Sequence, residues 1–66
     1  MQEIIQKLKD EHTELSEKLK KLWLFISSDA SRNIGTDQRR ALGEQAKAMK
    51  EYKRALEWRI RDLGGE

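Results

Sequence analysis

The stretch LGEQAKAMKEYKRALEWRIRDL, residues 42–63, decides the fold. In it Leu42, Gln45, Met49, Tyr52, Leu56, Arg59, Ile60 and Leu63 recur at steps of three and four. That spacing keeps side chains on one face of a 3.6-residue helix. Leucine, methionine and isoleucine on such a face are explained by burial. Gln45, Tyr52 and Arg59 follow one another every seven residues and form a polar ladder along the same face, which a purely structural helix does not require. The helix has clear punctuation: Thr36 offers a hydroxyl as a cap, Asp37 complements the dipole in the first turn, and Gly64 and Gly65 supply the unhindered C-terminal residues.

Upstream, a first helix is expected from about Gln2 to Ser28. Two heptad rows make its inner face, Leu8, Leu15 and Leu22 beside Ile5, His12, Leu19 and Ile26. The period is that of a coiled-coil seam. His12 stands in an otherwise apolar row, either as a partly buried histidine satisfied by a neighbour or as a ligand contact. Between Ser27 and Gly35 the chain is dense in Ser, Asp and Asn, whose short side chains bond nearby backbone, and Gly35 can take a positive φ. This segment is the expected turn. Folding about a centre near Arg32 pairs positions whose numbers sum to about 64, which brings Glu11 and His12 close to Tyr52 and Lys18 within reach of Gln45.

Sixty-six residues without Cys form one domain that buries only about 60% of its unfolded surface. Disulfides and thiolate metal sites are excluded, so self-association is the remaining way to stabilise so small a core. Trp23, Leu24 and Trp58 fall outside the inner stripes and are the candidate oligomer contacts. The expected fold is all-α: an antiparallel two-helix hairpin over residues 1–66, assembling into a helical-bundle homo-oligomer. No run approaches the ~20 apolar residues of a membrane span, and no leader pattern opens the chain, so a soluble, intracellular protein is expected. Residues 1–33 carry six basic and six acidic side chains, whereas residues 34–66 carry eight basic and six acidic, so the whole net charge of +2 (8 − 6) sits in the second half. Anions are drawn there first.

Phosphate-cradling glycine loops, nucleophile elbows, zincin motifs and paired cysteines are all missing from the sequence, and no nucleophile stands beside His12. The expectation is a binding protein and not an enzyme, with no cofactor and no metal. Lys53, Arg54, Arg59 and Arg61 lie near Tyr52 and Trp58, which sets phosphate-holding cations beside rings able to stack on bases. Both helices mix acid with base, so no continuous stripe for nucleic acid emerges. The rival reading is an interaction module whose target is a host protein.

The pattern Glu11, Glu14-Leu15, Lys18, Lys21-Leu22, Phe25-Ile26, Ser28, then Leu42, Gln45, Met49, Tyr52, Leu56 and Arg59-Ile60 resembles a family of very short phage proteins related to a crAss-like phage protein. In size and architecture such proteins are similar to the sponges that inhibit CBASS and Thoeris defence. The resemblance implies a symmetric homo-oligomer in the host cytoplasm that holds a cyclic nucleotide or cyclic ADP-ribose-type messenger between protomers without cleaving it. Sponges of that kind present a tyrosine and basic side chains to the ligand; by residue type alone, Tyr52, Lys18, Lys21 and Arg59 are the candidates for that role. Gln45, His12 and Glu11 complete the candidate set from the polar layers.

Overall fold

The structure, a computed structural model, describes residues 2–65. Helix α1 runs Gln2–Ile26 and helix α2 runs Thr36–Asp62, joined by a 3₁₀ segment at Asp29–Asn33. Along α1 the two heptad rows turn inward. Leu8, Leu15 and Leu19 are buried, while Ile5, His12, Leu22 and Ile26 are partly covered.

The inner stripe of α2 differs from the sequence expectation. It is Leu42, Ala46, Met49, Lys53, Leu56, Ile60 and Leu63, with Ala46 and Leu56 fully buried. Gln45, Tyr52 and Arg59 are exposed, so the ladder is not part of the inner face. Both stripes share Leu42, Met49, Leu56, Ile60 and Leu63; they part at 45 or 46 and at 52 or 53, and Arg59 drops out of the inner face. Packing favours the second set because Ala46, fully buried, admits the opposing helix closely. Lys53 can lay its aliphatic stem along the seam with its charge in water, whereas a buried Arg59 would need a paired carboxylate. Leu8, Leu15 and Leu56 form the buried cluster, with Met49, Ile60 and Leu63 packed against it. Full burial of one such leucine contributes about 1.5–3 kcal/mol.

The reversal of direction also falls later than Arg32. The Asp29–Asn33 segment continues the first arm as 3₁₀ helix, and its Ser31, with Ser28 at its cap, satisfies carbonyls near the end of α1. Ser28 Oγ donates to Phe25 O at 2.6 Å, and the buried Ser31 Oγ lies 3.0 Å from Ile26 O and 2.9 Å from Ser28 O. The chain turns at Gly35, whose φ of 88° and ψ of 158° lie in a region open in practice only to glycine. Thr36 is therefore the first helical residue and not the cap. Gly35 holds the cap position, and no side chain bonds the free N–H groups there. Moving the turn to Gly35 moves the register. Ile26 and Leu42 line one cleft (26 + 42 = 68), and His12 bonds Glu57 (12 + 57 = 69), in place of the expected sum near 64.

The far end of α2 closes as expected for a glycine stop. Gly64, at φ 81°, donates to Arg61 O at 3.0 Å, and Gly65 donates to Ile60 O at 2.9 Å, the paired bonds of a Schellman motif. This folds Gly65 back over the open end of the hairpin, where a Cβ would collide with Ile5 and lie 3.1 Å from Ile60 Cγ2. The resulting rod measures 46 × 15 × 13 Å.

Candidate functional site

Two opposite flanks of the rod carry the candidate residues. Tyr52 and Glu57 are five positions apart, about 140° around a helix of 3.6 residues per turn, so they border opposite edges of the inner stripe. On the first flank lie Gln45, Tyr52 and Arg59 from α2, with Glu11 and Lys18, seven residues apart, on the matching edge of α1. All but the half-buried Glu11 are exposed, and Tyr52 keeps 46% of its surface. Among the described residues Arg59 and Lys18 have no carboxylate within ion-pair distance. Lys21 is exposed and points further outward from the same side of α1.

His12 is separated from this group. It was expected in the Tyr52 layer, but the register carries it to Glu57, where its Nε2–H donates to Oε2 at 2.8 Å. The His12 side chain retains 26% exposure, the partly buried histidine satisfied by a neighbour. That hydrogen bond, aided by the nearby charges of Lys53 and Arg61 and opposed by partial desolvation, holds the Glu57 carboxyl below the usual glutamate range. The pair lies in an open groove of ≈ 410 Å³ between the helices at the open end of the hairpin. Glu57 was absent from the sequence-derived set, since its role depends on where the chain reverses.

Trp23, Leu24 and Trp58 are exposed at 47%, 63% and 74%. They do not form one patch. Trp58 shares a groove with Glu51, Arg54 and Ala55 on the outer side of α2, whereas Leu24 stands among Glu17, Lys20 and Lys21 on the outer side of α1. By the register above, Trp58 is level with Glu11 (69 − 58 = 11), twelve residues or ~18 Å along α1 from Trp23. Ala41, Ala48 and Ala55 are also exposed, every seven residues, and edge the flank that bears Tyr52 and Arg59.

No described helix is long and apolar enough to cross a membrane, and no group of three metal-ligating side chains occurs among the described residues. The arrangement offers unpaired cations, a phenol and an amide on a solvent-facing flank, a set suited to holding a polar, anionic ligand. No curated protein and no solved structure matches the chain. The family model Sequestin does, over residues 2–62, which is 61 of the 66 residues (62 − 2 + 1) and takes in both helices. The chain belongs to the Sequestin family.

Proposed function

We propose that this protein is a non-catalytic sponge of phage origin that captures a host cyclic nucleotide or cyclic ADP-ribose-type immune signal between its protomers and so blunts anti-phage defence. The observation that carries the reading is the ladder of Gln45, Tyr52 and Arg59, held out to solvent by a protein of a family whose name denotes sequestering. Arg59 without a carboxylate among the described residues is a cation available for phosphate, and Tyr52 supplies a ring for stacking and a hydroxyl for hydrogen bonding. Lys18, Lys21 and Glu11 extend the same flank.

The alanines at 41, 48 and 55 support assembly across this flank. Small side chains let a second helix approach closely, and the polar ladder beside them then comes to lie at the seam between two copies. Trp58, next to Ala55, adds apolar area at the edge of that contact. A hairpin with five buried apolar residues gains stability from such an association. In analytical ultracentrifugation the protein should sediment above its monomer mass of 7.8 kDa at micromolar concentration. A folded monomer there overturns the interfacial site.

The capture itself is tested by thermal unfolding of wild type, Tyr52→Phe and Arg59→Ala with and without a panel of cyclic di- and trinucleotides and cyclic ADP-ribose isomers. A ligand that binds only the folded protein raises Tm in proportion to its occupancy. The expected result is that at least one of the panel stabilises wild type, while both variants fold normally but lose the shift. If no nucleotide moves wild type and Arg59→Ala unfolds, the ladder is structural and the protein is an interaction module for a host protein.

A further inference from the structure

The groove on the opposite flank combines groups that the ladder does not explain. Two cations border it, Lys9 from α1 and Arg61 from α2, and neither has a carboxylate within ion-pair distance among the described residues. One turn before Arg61 on α2 stands Glu57, oriented by the His12 Nε2–H on its Oε2. Its Oε1 has no hydrogen-bond partner in the described residues and is free to accept. The exposed Thr13 adds a hydroxyl at the wall, and Ile60 gives a patch of apolar floor. The end wall is Gly65, pinned by its N–H on Ile60 O, where any Cβ would fill space now taken by Ile5.

A simple anion is a poor match for this groove, because Glu57 would repel it. A carboxylate accepts hydrogen bonds and cannot donate them, so its complement is a donor, and a pair of adjacent hydroxyls is the usual one in sugar recognition. Two cations about one turn away from such an acceptor match a phosphate attached to the same sugar. The groove, at ≈ 410 Å³, lies within the ~300–1,000 Å³ typical of small-molecule sites. We propose that the open-end groove binds a phosphorylated ribose, with the phosphate on Lys9 and Arg61 and the ribose hydroxyls on Glu57. The site is separate from the Tyr52 and Arg59 ladder and shares no residue with it, and because the sponge ligands also contain ribose phosphates, residue-resolved shifts are the readout that tells the two apart.

The test is titration of isotopically labelled protein with ribose 5-phosphate, 2-deoxyribose 5-phosphate and inorganic phosphate, followed by amide chemical shifts. Ribose 5-phosphate should perturb Lys9, Thr13, Glu57, Arg61 and Gly65 and bind about tenfold more tightly than the other two, as expected for hydroxyls held by a charged acceptor. Glu57→Gln, an exposed and nearly isosteric change, removes that preference, and Arg61→Ala weakens all three probes. Equal affinity of wild type for the ribose and deoxyribose probes overturns the proposal, as does a response confined to Gln45, Tyr52 and Arg59. The latter result leaves the sponge reading standing, whereas shifts in the groove with a silent ladder in the nucleotide panel count against the sponge reading alone.

Discussion

Replacing Leu56 by alanine tests the packing on which both flanks depend. Leu56 has no accessible surface within a single hairpin, and its neighbours in the cluster, Leu8 and Leu15, come from the opposite helix. Truncation removes the transfer free energy of three carbons and leaves a cavity that two rigid helices close only in part. Measured costs for such leucine changes are about 2–5 kcal/mol. A chain of this size is stable by roughly 3–10 kcal/mol at 0.05–0.15 kcal/mol per residue, and the lower half of that range is the common one for small cores. The loss is thus comparable to the whole stability of an isolated hairpin. Urea denaturation followed by far-ultraviolet circular dichroism reads it directly, with Leu24→Ala as a control. Leu24 is 63% exposed and should cost less than ~0.5 kcal/mol in a free hairpin. Leu56→Ala within ~0.5 kcal/mol of wild type would refute the packing described above. A Leu24→Ala cost as large as that of Leu56→Ala would place Leu24 under a second copy.

The turn and the helix interiors give three further tests. Gly35→Ala forces a side chain into φ 88°, ψ 158° and should lower stability by about 1–3 kcal/mol, read from the shift in denaturant midpoint; a neutral result means that the reversal lies elsewhere. Gly43, inside α2 with open space where its Cβ would be, should respond oppositely: Gly43→Ala stabilises by about 0.5–1 kcal/mol, and destabilisation would reveal a partner packed on that face. Glu57 has a depressed carboxyl pKa in the folded state, so its stabilising contribution is present above the unfolded value, near pH 4–4.5, and fades as the pH falls through and below it. Wild type should therefore lose more stability than Glu57→Gln between about pH 5 and pH 3, with parallel profiles as the contrary outcome. The difference should be small, because both side chains are partly in water.

Both helices, the glycine stop at Gly64 and the positive φ at Gly35 were legible in the sequence, because each follows from local chemistry and periodicity. The face of α2 was not. Two stripes of equal spacing run through Leu42, Met49, Leu56 and Leu63, and local sequence weighs them evenly until the opposing helix is in place. The signal that separates them is the cost of burying Gln45 and Arg59 against the ease of burying Ala46. The register was hidden for a different reason. Asp29–Asn33 has the composition of an open turn, yet it winds as 3₁₀ helix and lengthens the first arm, which passes His12 from Tyr52 to Glu57. Lys9, Glu57 and Arg61 gather only once that register is known, so the open-end groove could not be read from spacing.

The central claim is capture without turnover, and calorimetric titration of the protein with individual cyclic nucleotides and cyclic ADP-ribose isomers, with the ligand recovered afterward by denaturation and its mass determined, tests it most directly. Saturable binding of at least one of these molecules, loss of that binding in Arg59→Ala, and recovery of the ligand unchanged are the expected results. Absence of heat across the whole panel, or recovery of a cleaved product, would contradict the claim.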